Sequence, residues 1–186
     1  MPNRVTKDQW LQAALDILIE EGVEALRIER LAKRIGISRS GFYWHFKDSD
    51  DLRKEIVEYW AFETTDRVVE LLNETPMDAK QKLLYIAQQV LKNELTNYEL
   101  GIQALGKNDP SLMPRINKCY QSRLDIVLEC FTEVGFTGIE LELRARVFTV
   151  YVTYELVAPT YGKREELLEQ IPKHIDLFTQ VQARAV

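Results

Sequence analysis

The residues with the clearest chemistry lie in one stretch, Arg27–Lys47, which reads RIERLAKRIGISRSGFYWHFK. Arg27, Arg30, Lys33, Arg34, Arg39 and Lys47 are its cations and Glu29 is its only acid, so it carries +5 inside a 186-residue chain whose total is −5. A local cation excess on an acidic protein suits a polyanion, and it is equally the look of a solvated basic face. Ser38, Ser40, Tyr43, Trp44 and His45 are interleaved with these charges. Cations, hydroxyls and aromatic rings are the groups that meet phosphates and base edges in a DNA major groove.

Other chemistries find little support. The two histidines, His45 and His174, are far apart, and no zinc-ligand spacing, phosphate loop or nucleophile elbow occurs. Adjacent carboxylates such as Glu165 and Glu166 read as solvated helix surface. The expectation is therefore no enzyme, no metal and no cofactor. Cys119 and Cys130 are eleven residues apart. On one helix that places them on the same face but about 16 Å apart along the axis, too far to bridge. Two buried thiols are the simpler reading, and a thiol switch between subunits the alternative.

The elements that must position the basic stretch follow from its apolar spacing. Ile28, Leu31, Ala32 and Ile35 form one face of a short helix. Gly36 can end that helix in a left-handed conformation, and Ser38 can cap a second one. Ile37 and Phe42 then stand at hydrophobic-staple positions, and Phe42 and Phe46, four residues apart, share the buried face. The spacing thus predicts a helix-turn-helix whose second helix exposes Arg39, Ser40, Gly41, Tyr43, Trp44 and His45.

The rest of the chain also reads as helix. Apolar positions recur at three and four residues, and glycine and proline are few, with eight and six. The predicted helices span 6–21, 28–35, 38–46, 49–73, 77–93, 94–106, 111–134, 139–157 and 164–181. Gly22, Thr75-Pro76, Gly106–Pro110, Gly135–Gly138, Pro159 and Gly162 punctuate them. The fold class is all-α, with about nine helices. Residues 1–54 carry a net +1 and residues 55–186 a net −6, so the second part is a poor nucleic-acid surface. No apolar run nears the roughly 20 residues of a membrane span, and the amino terminus does not read as a signal peptide, so a cytoplasmic protein is expected.

Gly41–Leu52, GFYWHFKDSDDL, resembles the tyrosine–any residue–histidine–phenylalanine signature of the TetR family of transcriptional regulators, and Leu31-Ala32 with Gly36-Ile37-Ser38 resembles that family's helix-turn-helix. The resemblance covers about residues 6–55; beyond residue 60 it rests on length and helix pattern. It implies a DNA-binding domain over 1–48 and a helical ligand-binding and dimerisation domain over 49–186. The implied function is a repressor that binds double-stranded operator DNA as a homodimer and is released by a small-molecule effector. The alternative is a regulator controlled by a partner protein or by thiol oxidation.

The same resemblance assigns roles. Arg27 stands where the family has Ser or Thr near a phosphate, Arg39 in the first turn of the reading helix, and Tyr43 and His45 at phosphate-side positions. Ser49 stands where the family has a lysine, with Lys47 as the substitute. Lys33 contributes charge, and Ser38, Ser40, Gly41 and Trp44 complete the DNA-facing set. Behind the reader, Tyr59, Trp60, Tyr85, Tyr98, Tyr120, Phe148 and Tyr151 are aromatic residues that fit either an ordinary core or the wall of an effector pocket. The lack of clustered internal cations points to an apolar or aromatic effector. Dimerisation is expected through helices eight and nine. Apolar residues cover more than one face of helix eight, including Leu143, Val147, Val150, Tyr154, Leu156 and Val157, and helix nine adds Leu167, Leu168, Ile171, Ile175, Leu177 and Phe178.

Overall fold

A computed structural model describes residues 5–92, 98–157 and 164–181, excluding the side chains of 154–157 and 164. Among the described residues there are nine α-helices and no strand. They are α1 (Lys7–Glu20), α2 (Ile28–Ile35), α3 (Ser49–Ala61), α4 (Arg67–Glu74), α5 (Ala79–Lys92), α6 (Glu99–Asn108), α7 (Met113–Val134), α8 (Gly138–Val157) and α9 (Arg164–Thr179). The all-α expectation holds. The start of the sixth helix at Glu94, the breaks at Pro159 and Gly162, and the side chains of Tyr154, Leu156 and Val157 lie outside what is described. Packing divides the chain into two compact units, 1–63 with 97–118, and 64–96 with 119–186. This division by contact does not fall after residue 48, because α3 and α6 both pack on α1.

In the first unit, Thr6 caps α1 as its position predicts. Thr6 Oγ1 accepts from Gln9 N at 3.3 Å while Gln9 Oε1 accepts from Thr6 N at 2.8 Å. The helix buries Trp10, Leu11, Ala14, Leu15, Ile17 and Leu18. α6 packs against it through Gly101, whose absent Cβ would stand 2.9 Å from Leu18 Cγ. Gly106 was expected to end this helix, yet α6 runs on to Asn108. Gly106 is instead a close-packing position, since a Cβ there would meet Met113 Sδ at 2.6 Å. α2 ends at Gly36, φ 79°, with Ile37 N donating to Ala32 O and Gly36 N to Lys33 O, an arrangement that a left-handed residue permits.

The second unit has its core in α5, α7, α8 and α9 with Leu72 of α4. Phe131, Phe148, Ile171 and Leu83 are among its buried residues, and α5 packs on both α8 and α9. Phe131 meets Phe136 and Phe148 edge-on, and Phe148 meets Phe178, with centroids 5.6–6.0 Å apart. Arg144 lies 4.0 Å over the Phe136 ring and donates to the Phe178 and Gln180 carbonyls at the end of α9. One expectation changes here. The long helix over 49–73 is interrupted by a π-helical turn, Phe62–Asp66, between α3 and α4. The wider turn places the Thr65 side chain in the interior, where Arg123 Nε donates to its hydroxyl at 2.7 Å and Cys119 Sγ lies 2.9 Å away. A polar pair from α7 thus satisfies the turn, which apolar periodicity alone does not reveal.

Candidate nucleic-acid interface

The predicted reading helix is a 3₁₀ turn, Arg39–Trp44. Six residues that include Ser40 and Gly41 have little intrinsic drive toward α-helix, and the Ser38 hydroxyl, expected to cap, pairs with the Ser40 hydroxyl at 2.8 Å instead. Position comes from the aromatic core beneath. Phe42 and Phe46 are fully buried and meet the Trp10 ring edge-on at 5.6 and 6.5 Å. Phe46 N also donates to Phe42 O. Anchored this way, the turn leaves Tyr43 and Trp44 exposed, at 55% and 75%. Gly41 does not point into open solvent, because a Cβ there would stand 3.0 Å from Ile37 Cδ1.

The cations divide into two groups. Arg30 makes a two-pronged contact with Glu21, and Arg34 with Glu20. The hydrogen bonds hold the Glu20 carboxyl below the usual range and raise both guanidiniums. These acids lie at the end of α1, and only the tertiary packing brings them to α2, so the +5 of the linear stretch is partly neutralised. Arg39 Nη1 lies 2.9 Å from Glu29 Oε1. Arg27 Nε donates to the Glu24 carbonyl. Among the described residues Arg27, Lys33 and Lys47 have no carboxylate partner for their side chains. Lys7 is paired with Glu55 at 2.8 Å.

His45 Nε2 lies 3.0 Å from the Val5 carbonyl, which ties the reading segment to the start of the described chain. Asp48 caps α3 by accepting from Asp50 N and Asp51 N at 3.0 and 2.8 Å, and Asp51 accepts from Lys47 N. The first amides of α3 are therefore already satisfied, beside three acids. A helix-turn-helix unit with an exposed, rigidly based polar turn of this kind can lay Arg39, Tyr43 and Trp44 against a groove while Lys33 and Lys47 meet phosphates.

Residues 11–56 match the sequence profile of the bacterial regulatory proteins of the tetR family. The amino-terminal part of the chain is therefore similar to the DNA-binding domain of that family. It is 32% identical over 91 residues to the HTH-type transcriptional regulator AcrR of Shigella flexneri, a span that covers 49% of this chain and 42% of that protein. It is 34% identical over 56 residues to the tetracycline repressor protein class C of Escherichia coli, covering 30% and 26%. The matched span is thus less than half the length of either relative. A protein of Saccharomonospora viridis solved in complex with choline and described as a transcriptional regulator is similar in fold across nearly the whole chain, with 19% identity, 92% and 94% coverage and a TM-score of 0.70. The relatives named here are regulators or repressors, and none is an enzyme.

Behind this reader, the seven aromatic residues singled out in sequence do not form one set. Tyr59, Trp60 and Tyr98 belong to the first unit, and Tyr85, Tyr120, Phe148 and Tyr151 to the second. Trp60 and Phe148 are buried to 1% in their cores. The Tyr98 hydroxyl donates to Asp16 and accepts from Gln12, both on α1. Burial, and then the nearby Glu63 and Asp8, push the Tyr59 hydroxyl up. Tyr85 is half-buried against the second core, and the Tyr151 hydroxyl meets Nδ1 of His174. Tyr120 carries the Arg123 guanidinium 5.4 Å over its ring. Arg123 is the residue sequence reasoning missed. It is a half-buried cation bonded to Thr64 and Thr65, a single one and not a cluster. Only the π turn, which brings both threonines to α7, makes it visible.

Among the described residues no helix is long and apolar enough to cross a membrane, and no three His, Cys, Asp or Glu side chains are grouped for a metal.

Proposed function

We propose that this chain is a cytoplasmic transcriptional repressor that binds operator DNA as a homodimer and is released by a small-molecule effector. The observation that carries this reading is the 3₁₀ turn fixed on Trp10, Phe42 and Phe46 with Arg39, Tyr43 and Trp44 turned to solvent. Residues 1–48 hold the DNA contacts: Arg39 and Trp44 toward bases, Tyr43, Ser38 and Ser40 toward phosphates, and Arg27, Lys33 and Lys47 as charge. Residues 49–186 hold the effector and the second subunit. His45 acts through its bond to the Val5 carbonyl, and Gly41 through its closeness to Ile37.

Support for the dimer comes from α8. Ile139, Leu143, Val147 and Val150 follow one another at helical spacing, and all are more than half exposed, as is Leu177 of α9. Such a stripe on a single chain calls for a cover, and a second copy joined through α8 and α9 supplies one. The effector is apolar or aromatic, with an organic cation included. The neighbour in fold from Saccharomonospora viridis was solved in complex with choline, a quaternary ammonium of the class that aromatic side chains can bind. Effector binding favours a conformer in which the two readers no longer match successive major grooves, about 34–36 Å apart. Thiol control is disfavoured, because Cys119 and Cys130 are both fully buried and burial pushes the Cys130 thiol up to about 11.

The test is selection of a duplex by the protein from a randomised pool, then binding at several salt concentrations. Arg39→Ala should relax sequence preference, by about 1–3 kcal/mol at its base pair. Tyr43→Phe should weaken all duplexes alike, and Lys33→Ala should lower the salt slope by about one unit per phosphate lost. Failure to select any sequence would sink the reading. The selected duplex then reports release in a screen of lipophilic compounds and cationic dyes, and release only by a partner protein would redirect the control to that partner.

A further inference from the structure

We propose that Glu29 is a positioning residue for DNA reading, holding the Arg39 guanidinium in a base-reading orientation while cancelling its charge toward the phosphate backbone. The inference rests on the DNA-binding function proposed above and deepens it. Glu29 is the only acid in Arg27–Lys47, and it stands in the first turn of α2, where the helix dipole favours a carboxylate. Its Oε1 contacts Arg39 Nη1 at 2.9 Å, and the two side chains are 60% and 57% exposed. An ion pair so open to water adds little to folding stability. The pair thus joins the start of α2 to the start of the reading turn without being needed to hold them together.

The geometry of the contact matters. Arg30 and Arg34 are gripped in two-pronged fashion by acids from α1. Arg39 is touched at Nη1 alone, by an acid from within the reader itself. The contact leaves the Nε and Nη2 edge of its guanidinium, the fork that matches O6 and N7 of guanine. Arg39 can therefore read a guanine with Glu29 still bound. On a wrong sequence the guanine bonds are lost and the charge of Arg39 stays compensated. Arg39 in this setting adds discrimination without adding indiscriminate affinity.

The experiment compares wild type, Glu29→Gln, Glu29→Asp, Arg39→Ala and the double variant Glu29→Gln/Arg39→Ala. The probes are the duplex selected by the wild type from a randomised pool and a scrambled duplex of the same composition. Glu29→Gln should free one cation per subunit. The salt slope of a dimer on scrambled DNA should steepen by about two units, an extra loss of roughly tenfold between about 50 and 200 mM salt. The ratio of selected to scrambled affinity should fall by about tenfold, and Glu29→Asp should restore most of it. In the Arg39→Ala background, Glu29→Gln should change neither slope nor ratio. A wild type that selects a sequence while Glu29→Gln leaves slope and ratio unmoved overturns the inference and spares the DNA-binding function. A steeper slope that persists without Arg39 overturns it too, because Glu29 would then act by repelling phosphate directly. A wild type that selects nothing removes the function on which both rest.

Discussion

Replacing Val150 by lysine should dissociate the protein into folded monomers. Val150 is 63% exposed on the stripe that Ile139, Leu143 and Val147 continue. Burying a whole valine side chain is worth about 1.5–3 kcal/mol, so covering the exposed part contributes about 1–2 kcal/mol per subunit. Two subunits lose about 2–4 kcal/mol together, because a two-fold interface repeats every contact. The new ammonium also loses water where the second subunit covers this face. Part of this is relieved as the lysine reaches for the rim, so about 1 kcal/mol per subunit is added. The sum is about 4–6 kcal/mol, a thousandfold or greater rise in the dimer dissociation constant. The single chain should scarcely notice, since an exposed substitution away from special features changes stability by about 0.5 kcal/mol or less. Sedimentation equilibrium across a concentration series reads the dissociation constant, with circular dichroism to check folding and Glu142→Gln, exposed and off the stripe, as control. A Val150→Lys protein that remains dimeric with an unchanged constant would refute the assignment of this face, as would a monomeric wild type at tens of micromolar.

Two further outcomes follow from packing and burial. Gly101→Ala should destabilise the protein by about 1–3 kcal/mol in urea unfolding, because its methyl would press on the branch carbon of the buried Leu18 at 2.9 Å. Gly106→Ala should also destabilise it, since the Met113 sulfur at 2.6 Å can move aside but Cδ1 of the fully buried Ile116 stands at 2.8 Å, and a Gly106→Ala protein as stable as the wild type would contradict this. The Cys130 thiol, ordinarily at 9.0, is pushed up to about 11 by burial, with Glu133 and Glu129 adding to the rise and Lys82 opposing it. The folded state then holds the proton more tightly than the unfolded chain, so this stability is full below pH 9 and is lost as pH rises through 11. It amounts to about 2–3 kcal/mol at most. The stability gap between wild type and Cys130→Ala should therefore narrow from pH 9 to pH 11, and a constant gap would show that the thiol ionises alike in both states.

The sequence by itself determined the helices and what the reader resembles. Thr6, Gly36, Asp48 and Thr75-Pro76 act through the backbone of their immediate neighbours, and the apolar steps of three and four residues are set by the helix repeat, so both are legible before any folding. The same holds for Phe42 and Phe46, whose four-residue spacing marks a shared buried face that the bond from Phe46 N to Phe42 O keeps at α-helical spacing, although the turn before it is 3₁₀. What the tertiary structure alone decided concerns groups brought together from distant positions. The charge of the reader depends on Glu20 and Glu21 arriving from α1, and no count along α2 contains them. Gly106 looked like a helix end and proved to be a contact, because a missing side chain means one thing beside solvent and another beside Met113 and Ile116. The π turn at Phe62–Asp66 leaves the apolar rhythm almost intact, and its meaning appears only where Thr64 and Thr65 meet Arg123 on α7. Hydrogen bonds within one turn depend on local spacing, whereas ion pairs and close approaches depend on which helices meet. That is a property of the packed chain, because each such contact exists only where apolar faces bring two helices together.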